Sequence, residues 1–223
     1  TEKAPPVIAD QVQEQIARLE IRPGQPLIVT DADEVLFAFM AGLETYLIGE
    51  GLTFDFSSFA ISGNVRTSDG EALEREAVRA HLGTFFERHT EELDPVDHAA
   101  ETLAELSERA QIIVLSNLPL PQREARERAL RRHGMDYPLI ANEGLKGPAV
   151  RHLHELAAAP AIFIDDIPHN HSSVREHAPE VQRLHFVADP RLARLIPRAE
   201  DSHHRADTWP EARRIIERHL FED

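Results

Sequence analysis

Two aspartates, Asp31 and Asp33, directly follow the short apolar run 27–30 in the segment Asp31-Ala32-Asp33. Such a run is typical of a strand buried in a parallel sheet, and ligands of open α/β sheets bind where those strands end. Two carboxylates delivered there could divide a reaction, one attacking while the other moves protons. Short acidic side chains also begin helices, so the pair alone is equally consistent with a helix cap.

Three further sets of polar residues stand at the ends of predicted strands or just before a predicted helix: Ser116 with Asn117, Lys146, and Asp165 with Asp166. Hydroxyl and amide groups can donate hydrogen bonds to phosphate oxygens, and a lysine supplies a point cation that suits a phosphoryl group. Taken singly, each set has an ordinary explanation as a helix start, a solvated cation or a helix cap. Together they predict one crevice, because a doubly wound sheet gathers its strand ends along one edge.

The elements that must position these residues alternate along the chain. Short apolar runs predict strands at 27–30, 112–115, 139–141, 161–164 and 184–187. Amphipathic segments predict helices at 8–19, 99–109, 122–133, 148–157, 172–177, 189–196 and 211–221, and the single tryptophan, Trp209, is interpreted as a packing residue. This alternation predicts an α/β fold built on a Rossmann-like, doubly wound parallel sheet.

The stretch 37–93 is much longer than a single crossover helix requires. We therefore predict a small, mostly helical cap, inserted into a core formed by residues 1–36 and 94–223. Helices are predicted within the insertion at 39–48 and, as one or two helices, at 71–92. The turn-rich stretch 54–70 between them could face a ligand or be an ordinary surface loop, and Arg66 within it is a candidate substrate contact.

Composition restricts the partners of this 223-residue chain. Its 39 acidic and 24 basic residues give a formal net charge of −15, which would repel nucleic acid and favours a small substrate. No segment is long and apolar enough to span a membrane, and residues 1–6 lack a secretory pattern, so we expect a cytoplasmic protein. The absence of cysteine excludes thiolate chemistry. The pairs His203-His204 and His152-x-His154 are interpreted as solvated, helical surface rather than a zinc site.

In order and placement, these polar residues resemble the four motifs of the haloacid dehalogenase superfamily of phosphohydrolases. The matching residues are Asp31-Ala32-Asp33, Ser116, Lys146, and Asp165-Asp166 with Asn170. The resemblance covers roughly residues 27–187 and implies a Rossmann-like sheet with a helical cap of the first type, inserted directly after the first motif. The sequence departs from the pattern at Glu34, where the family usually has glycine and this chain has an additional negative charge.

The resemblance implies how the reaction would proceed. Asp31 would attack phosphorus and form an aspartyl-phosphate, which divides one difficult displacement into two easier ones. Asp33 would protonate the leaving oxygen and then deprotonate the hydrolytic water. Ser116, Asn117 and Lys146 would hold and neutralise the oxygens of the transferred phosphoryl group.

The resemblance also implies a Mg²⁺ cofactor bound by oxygen ligands. The Asp31 carboxylate, the Asp33 main-chain carbonyl and a carboxylate of the second pair would hold the ion. Asp166 is the favoured direct ligand of that pair, whereas Asp165 would act through water or orient its neighbour, and Asn170 would support both. His169 and His171 flank Asn170, so a softer metal such as manganese, iron or zinc remains open.

The function implied is a magnesium-dependent phosphatase acting on a small phosphorylated metabolite. A phosphomutase would use the same four motifs and differ in how the cap delays hydrolysis. A non-catalytic binding or regulatory protein would keep the fold without turnover, and Glu34 is the residue that raises this alternative. A dehalogenase is disfavoured, because Asp33 supplies a proton donor that an alcohol leaving group needs and a halide does not.

Overall fold

The computed structural model describes residues 8–58 and 60–222. Residues 1–6, on which the secretory-signal argument depends, lie outside the described residues, as does Phe59 in the predicted loop 54–70. The helices of the described chain are α1 (Asp10–Ala17), α2 (Phe39–Gly49), α3 (Arg75–His89), α4 (Ala99–Ser107), α5 (Arg123–Arg132), α6 (Gly147–Ala157), α7 (Pro168–His177), α8 (Pro190–Leu195) and α9 (Trp209–Phe221), with a 3₁₀ turn at Leu120–Gln122.

Six parallel strands form the central sheet. The strands of the molecule are β1 (Leu27–Thr30), β2 (Thr53–Phe54), β3 (Val65–Arg66), β4 (Gln111–Ser116), β5 (Leu139–Ala141), β6 (Ala161–Asp165), β7 (Gln182–Phe186) and β8 (His204–Ala206). The sheet order is β5-β4-β1-β6-β7-β8, so β1 lies in the middle with β4 and β6 on its two sides. The predicted Rossmann-like α/β fold is confirmed.

Alternate residues of the central strands pack against helices on opposite faces of the sheet. In β1, Ile28 joins the apolar cluster that includes residues of α4, α5 and α9. Its neighbours Leu27 and Val29 join the other cluster, with residues of α1, α6 and α7. Both faces are therefore covered, which explains why each strand reads as a continuous apolar run rather than as an alternating one.

The stretch 37–93 forms α2, the antiparallel pair β2–β3, and α3. The two ends of this stretch lie side by side. The Ala38 amide donates to the Asp94 carbonyl at 2.9 Å, and the Val96 amide donates to the Leu36 carbonyl at 2.8 Å. The sequence prediction missed the β2–β3 pair, whose two-residue strands are too short to show a period. It also placed 71–92 in helix, whereas a single helix covers Arg75–His89.

Two further predictions differ from the structure, and one is confirmed. His204 lies in a sixth parallel strand, β8, and not in a helix, because pairing with β7 overrides the polar sequence around it. Helix α7 begins four residues earlier than predicted, at Pro168, since proline is well suited to the first helical position. Trp209 is fully buried and donates from Nε1 to the Val35 carbonyl at 2.9 Å, so it packs as predicted.

No helix among residues 8–58 and 60–222 combines the length and the apolar character needed to cross a membrane.

Candidate active site

The ends of three neighbouring strands bring the sequence-predicted residues together. In the parallel registers, Thr30 of β1 lies beside Val114 of β4 and Ile164 of β6. The Asp31 amide continues the ladder by donating to the Ile164 carbonyl at 2.8 Å, so Asp31 and Asp165 are neighbours at the sheet edge. Adjacent strands with matched ends therefore form the sheet edge at which the crevice is predicted.

Lys146 lies between the two acidic strand ends and is completely buried. Its Nζ is 2.8 Å from Asp31 Oδ2 and 2.6 Å from Asp165 Oδ2. Burial lowers the pKa of Lys146, but the attraction of Asp165 and Asp31 outweighs burial, so its pKa lies above the ordinary value. Lys146 therefore stays charged and holds the two carboxylates at a fixed separation.

Gly147 explains how Lys146 reaches this position. A Cβ atom on Gly147 would lie only 2.3 Å from the main-chain oxygen of Ser173 in α7, closer than any side chain can approach. The Gly147 amide is the first of α6, and it donates to Ser173 Oγ at 3.1 Å across this close contact. The contact fixes the beginning of α6 against α7 and thereby fixes Lys146 beside β6.

Asp165 uses both carboxylate oxygens in hydrogen bonds. Besides Lys146, it accepts from the Ile167 amide at 2.8 Å and from Asn170 Nδ2 at 3.0 Å, both through Oδ1. The Asn170 amide also lies 3.2 Å from Oδ2. Asp165 is thus held on every side, which is the arrangement of an orienting group.

Asp166 differs from Asp165 in having no such support, although it is also buried. Its carboxylate accepts no hydrogen bond from the part of the chain that the structure describes. Burial raises its pKa well above the ordinary value of 3.8, and the negative charges of Asp165 and Asp31 raise it further. Burial without a hydrogen-bond donor disfavours the ionised form of a carboxylate, and a bound cation would stabilise that form.

Asp31, Asp165 and Asp166 form the only group of three or more potential metal ligands found among the described residues, with ligand oxygens within 4.8 Å of one another. Three carboxylates are the hard, oxygen-only donor set that Mg²⁺ prefers. The unpartnered Asp166 carboxylate supports the same conclusion, since a bound cation would supply its missing counter-charge. The residues therefore fit a divalent cation with hard ligands.

The histidines near the acidic pair do not join this group. His171 donates from Nε2 to the Asp165 carbonyl at 2.9 Å, and His185 of β7 donates from Nε2 to the Asp166 carbonyl at 3.0 Å. Because a carbonyl oxygen only accepts, these contacts assign the proton to Nε2 in both rings. Burial lowers the pKa of each ring to about 4, so both are neutral. His169 is exposed. The arrangement favours a metal with oxygen ligands over a softer one.

Asp33 follows Asp31 after the end of β1 and lies beside a fully buried arginine, Arg126 of α5. Arg126 Nη2 donates to Asp33 Oδ1 at 2.5 Å. Burial raises the pKa of Asp33 above its ordinary value, and Asp31 adds to this effect, while the Arg126 charge opposes it. Nothing in the sequence marked Arg126, because one buried arginine cannot be distinguished from the solvated arginines of α5 by helical spacing.

Glu34 occupies a left-handed backbone conformation, with φ of 61°, that ordinarily favours glycine. Its side chain is buried and accepts from two main-chain amides, Met40 at 2.9 Å and Asp189 at 2.7 Å. Burial raises its pKa to about 7, although both hydrogen bonds oppose this shift. The side chain thus joins the turn after β1 to the first residues of α2 and to the segment before α8, and it does not extend freely into the crevice.

Ser116, Asn117 and Arg66 were the candidate phosphate or substrate contacts. The Ser116 hydroxyl is completely buried and has no hydrogen-bond partner among the described residues. The Asn117 side chain instead bonds the following loop, donating to the Gly144 carbonyl at 2.8 Å and accepting from Asn142 Nδ2 at 2.7 Å. Arg66 is bound within the insertion, with Nε 3.2 Å from Asp55 Oδ2 and no contact to the acidic groups described above.

Comparison with known proteins identifies the fold. No family model matches the sequence, and no curated protein is similar enough in sequence to match. Solved structures do match. A HAD family hydrolase from Deinococcus radiodurans R1, with bound phosphate and sodium, is 15% identical with a TM-score of 0.60, over 90% of this chain and 99% of that chain.

Two further structures are similar to the chain. The HAD-hydrolase YfnB from Bacillus subtilis, bound to magnesium, is 12% identical with a TM-score of 0.55, over 86% of this chain and 99% of that chain. The L-2-haloacid dehalogenase from Xanthobacter autotrophicus is 13% identical with a TM-score of 0.51, over 85% of this chain and 97% of that chain. The chain therefore has the fold of haloacid dehalogenase-like hydrolases, and a fold by itself does not establish a reaction.

Proposed function

We propose that this chain is a haloacid dehalogenase-superfamily phosphatase, dependent on Mg²⁺ and acting on a small phosphorylated metabolite. The observation that carries the proposal is the arrangement of Lys146 between Asp31 and Asp165, beside the unpartnered carboxylate of Asp166. It combines an attacking group, a buried cation for phosphate oxygens and a metal-ligand set. A cytoplasmic location, and a small partner in place of nucleic acid, remain predictions from composition.

Asp31 is the proposed nucleophile. One of its oxygens is held by the Ala32 amide at 2.6 Å and the other by Lys146, which aims the carboxylate while leaving further lone pairs on both oxygens. Burial raises the pKa of Asp31, and the charge of Lys146 opposes this. Lys146 thus favours the ionised form, which is the one that attacks phosphorus, and the P–O bond to the leaving group breaks as the aspartyl-phosphate forms.

Asp33 is the proposed general acid and base. Its side chain is one-sixth exposed, at 16%, so it can reach both a bound leaving group and a water molecule. It would give its proton to the leaving oxygen in the first step and take one from water in the second. This residue favours a phosphate ester over a halide substrate, because only the alcohol leaving group requires the proton.

Mg²⁺ would be held by Asp31, Asp166 and the main-chain carbonyl of Asp33, with Asp165 and Asn170 orienting the acidic pair. When bound, the ion supplies Lewis-acid stabilisation of the negative charge on the phosphoryl oxygens. Ser116 would donate its unpartnered hydroxyl to one of those oxygens, and Lys146 would neutralise another. Any part played by Asn117 would use its main chain, because its side-chain amide is bound to the loop at Gly144.

The insertion 37–93 is the proposed cap. It contacts the sheet-bearing part through Arg191 of α8, whose Nη1 is 2.8 Å from Glu44 of α2 and whose guanidinium lies 3.7 Å from the centre of the Phe56 ring. Together with the Glu34 carboxylate, this contact packs the cap beside the crevice, where it would exclude water and select the leaving group. Arg66 remains a predicted substrate contact, reached only if the β2–β3 turn approaches the crevice.

The test is release of inorganic phosphate from 4-nitrophenyl phosphate and from a panel of phosphorylated metabolites, with Mg²⁺ and then with chelator. Asp31→Asn is assayed beside the wild type, with Asp136→Asn as the matched control, because Asp136 is an exposed carboxylate on the surface. We expect Mg²⁺-dependent release that Asp31→Asn abolishes and Asp136→Asn retains.

Other outcomes of this assay have defined meanings. Absence of release from every substrate would contradict phosphatase action and favour the non-catalytic alternative. Conversion of a sugar phosphate to its isomer without release of phosphate would favour the phosphomutase. Release that chelator leaves unchanged would contradict the metal assignment.

A further inference from the structure

Arg126 is a buried, charged side chain with no assigned role in the proposed reaction. It lies on α5 and is completely buried, and its side chain forms one hydrogen bond to the described residues, from Nη2 to Asp33 Oδ1 at 2.5 Å. Its guanidinium also lies over the ring of Phe37, 4.7 Å from the ring centre. Neither Nε nor Nη1 has a hydrogen-bond partner among the residues that the structure describes.

These unpartnered nitrogens argue against a purely structural role. A buried arginine that stabilises a fold usually satisfies most of its donors, because each unpaired buried donor is unfavourable. Replacing a buried ion pair with apolar side chains often stabilises a protein. Among the described residues, one carboxylate and one aromatic face balance the desolvated charge of Arg126, so its most specific contact is with Asp33.

The contact makes the two carboxylate oxygens of Asp33 different from each other. Arg126 holds Oδ1, whereas Oδ2 accepts no hydrogen bond from any described residue. Helix α5 is itself anchored by Ala129 and Leu130, which are fully buried in the core. A short side chain that would otherwise rotate is therefore fixed by a cation on a rigid helix, with one oxygen left for proton exchange.

We propose that Arg126 is the positioning residue of the general acid and base, holding Asp33 by one oxygen so that the other faces the leaving group and the hydrolytic water. This inference rests on the proposed phosphatase function. Proton transfer depends on hydrogen-bond geometry, so loss of this contact lowers the rate most when the leaving group needs the proton.

The experiment compares two aryl phosphates with different leaving groups. The 4-nitrophenolate ion leaves readily without a proton, whereas phenolate from phenyl phosphate requires one. Replacing Arg126 with methionine lowers kcat for phenyl phosphate by about 10-fold to 100-fold, and lowers it less for 4-nitrophenyl phosphate, with KM nearly unchanged. Arg126→Lys, which keeps the charge and loses the planar fork, gives an intermediate result.

The matched control is Arg128→Met, because Arg128 lies on the same helix but is half-exposed and pairs with Glu91. It leaves both rates at the wild-type level. Combining Arg126→Met with Asp33→Asn gives a further readout, since Arg126→Met has no additional effect on kcat in the Asp33→Asn background if Arg126 acts through Asp33.

Two results would overturn the role of Arg126. One is an equal loss on both substrates, and the other is a further loss in the Asp33→Asn background, because each indicates a general structural effect. Circular dichroism checks folding, and if Arg126→Met does not fold, Arg126→Gln carries the same comparison. A wild type that releases phosphate from neither aryl phosphate nor any metabolite of the panel would overturn the phosphatase proposal and this inference together, whereas wild-type release with an unaffected Arg126→Met overturns this inference alone.

Discussion

The acidic pairs at the ends of β1 and β6 contain the same residue type and lie on adjacent strands, yet their carboxylates have different environments. Asp31 and Asp165 share the buried cation Lys146. Asp33 is held by Arg126, and Asp166 has no donor in the described part of the chain. Four aspartates at one sheet edge therefore have three different environments.

The difference shows how one side chain can supply several chemical groups. A cation beside a buried carboxylate opposes the rise in pKa that burial causes and fixes the group in place, while a buried carboxylate without a donor binds a proton or a metal ion more strongly. Each environment comes from a helix or loop that follows the strand, and not from the strand itself. Substitution of the two aspartates of one pair should therefore change the stability of the protein in opposite directions.

Removal of the shared cation should have the largest effect. Lys146→Met leaves Asp31 and Asp165 buried without their counter-charge, and we expect the free energy of unfolding to fall by about 3–5 kcal/mol. The measurement is urea unfolding followed by circular dichroism. The control Arg151→Met breaks an exposed pair with Glu155 and should cost less than ~1 kcal/mol. A Lys146→Met protein as stable as this control would contradict the role of Lys146 as the counter-charge of Asp31 and Asp165.

The two members of the second pair should respond in opposite directions. Asp165→Asn loses its charged hydrogen bond to Lys146 and sets an amide against the Asn170 amide, so we expect a loss of about 2–3 kcal/mol. Asp166→Asn removes an unpartnered buried charge, so in chelator it should be at least as stable as the wild type. It should also lose the rise in melting temperature that Mg²⁺ produces. Equal destabilisation by both substitutions would contradict the difference between a hydrogen-bonded Asp165 and an Asp166 without a donor.

Ser116 should affect phosphate binding without affecting stability. Its hydroxyl has no partner among residues 8–58 and 60–222, so Ser116→Ala should change the free energy of unfolding by less than ~0.5 kcal/mol. Loss of one hydrogen bond to phosphate should weaken inhibition by inorganic phosphate about tenfold. The control Ser107→Ala removes a hydroxyl that donates to the Ala104 carbonyl, away from the crevice, and should leave inhibition unchanged. Unchanged inhibition in Ser116→Ala would exclude this contact.

Asp166 should also give the metal-free protein a dependence on pH. Burial raises its pKa above 3.8, so the folded state keeps a proton that the unfolded state has lost. The contribution of Asp166 to stability is therefore highest at low pH and falls as pH rises from about 4 towards the raised pKa, with a slope below ~1.4 kcal/mol per pH unit, the limit for one proton. Asp166→Asn in chelator should show a smaller fall over this range, and identical slopes would contradict the prediction.

Much of the fold could be predicted from the order of apolar runs. Buried parallel strands are apolar on both faces, so all five predicted core strands correspond to strands in the sheet. β8 could not be predicted, since His204 and Arg205 belong to an edge strand whose polar side chains give no apolar signal. The β2–β3 pair was missed for a similar reason, because two residues are too few to define a period.

The sequence by itself determined which residues reach the crevice, because parallel strands end at one edge and the polar residues follow the strand ends. Tertiary structure alone decided their environments. Lys146 lies between Asp31 and Asp165 since α6 packs closely on α7 at Gly147, and Arg126 reaches Asp33 from a helix 93 residues further along the chain. The physical reason is that charge and desolvation act through space, so a carboxylate's pKa and partners depend on neighbours that are distant in sequence.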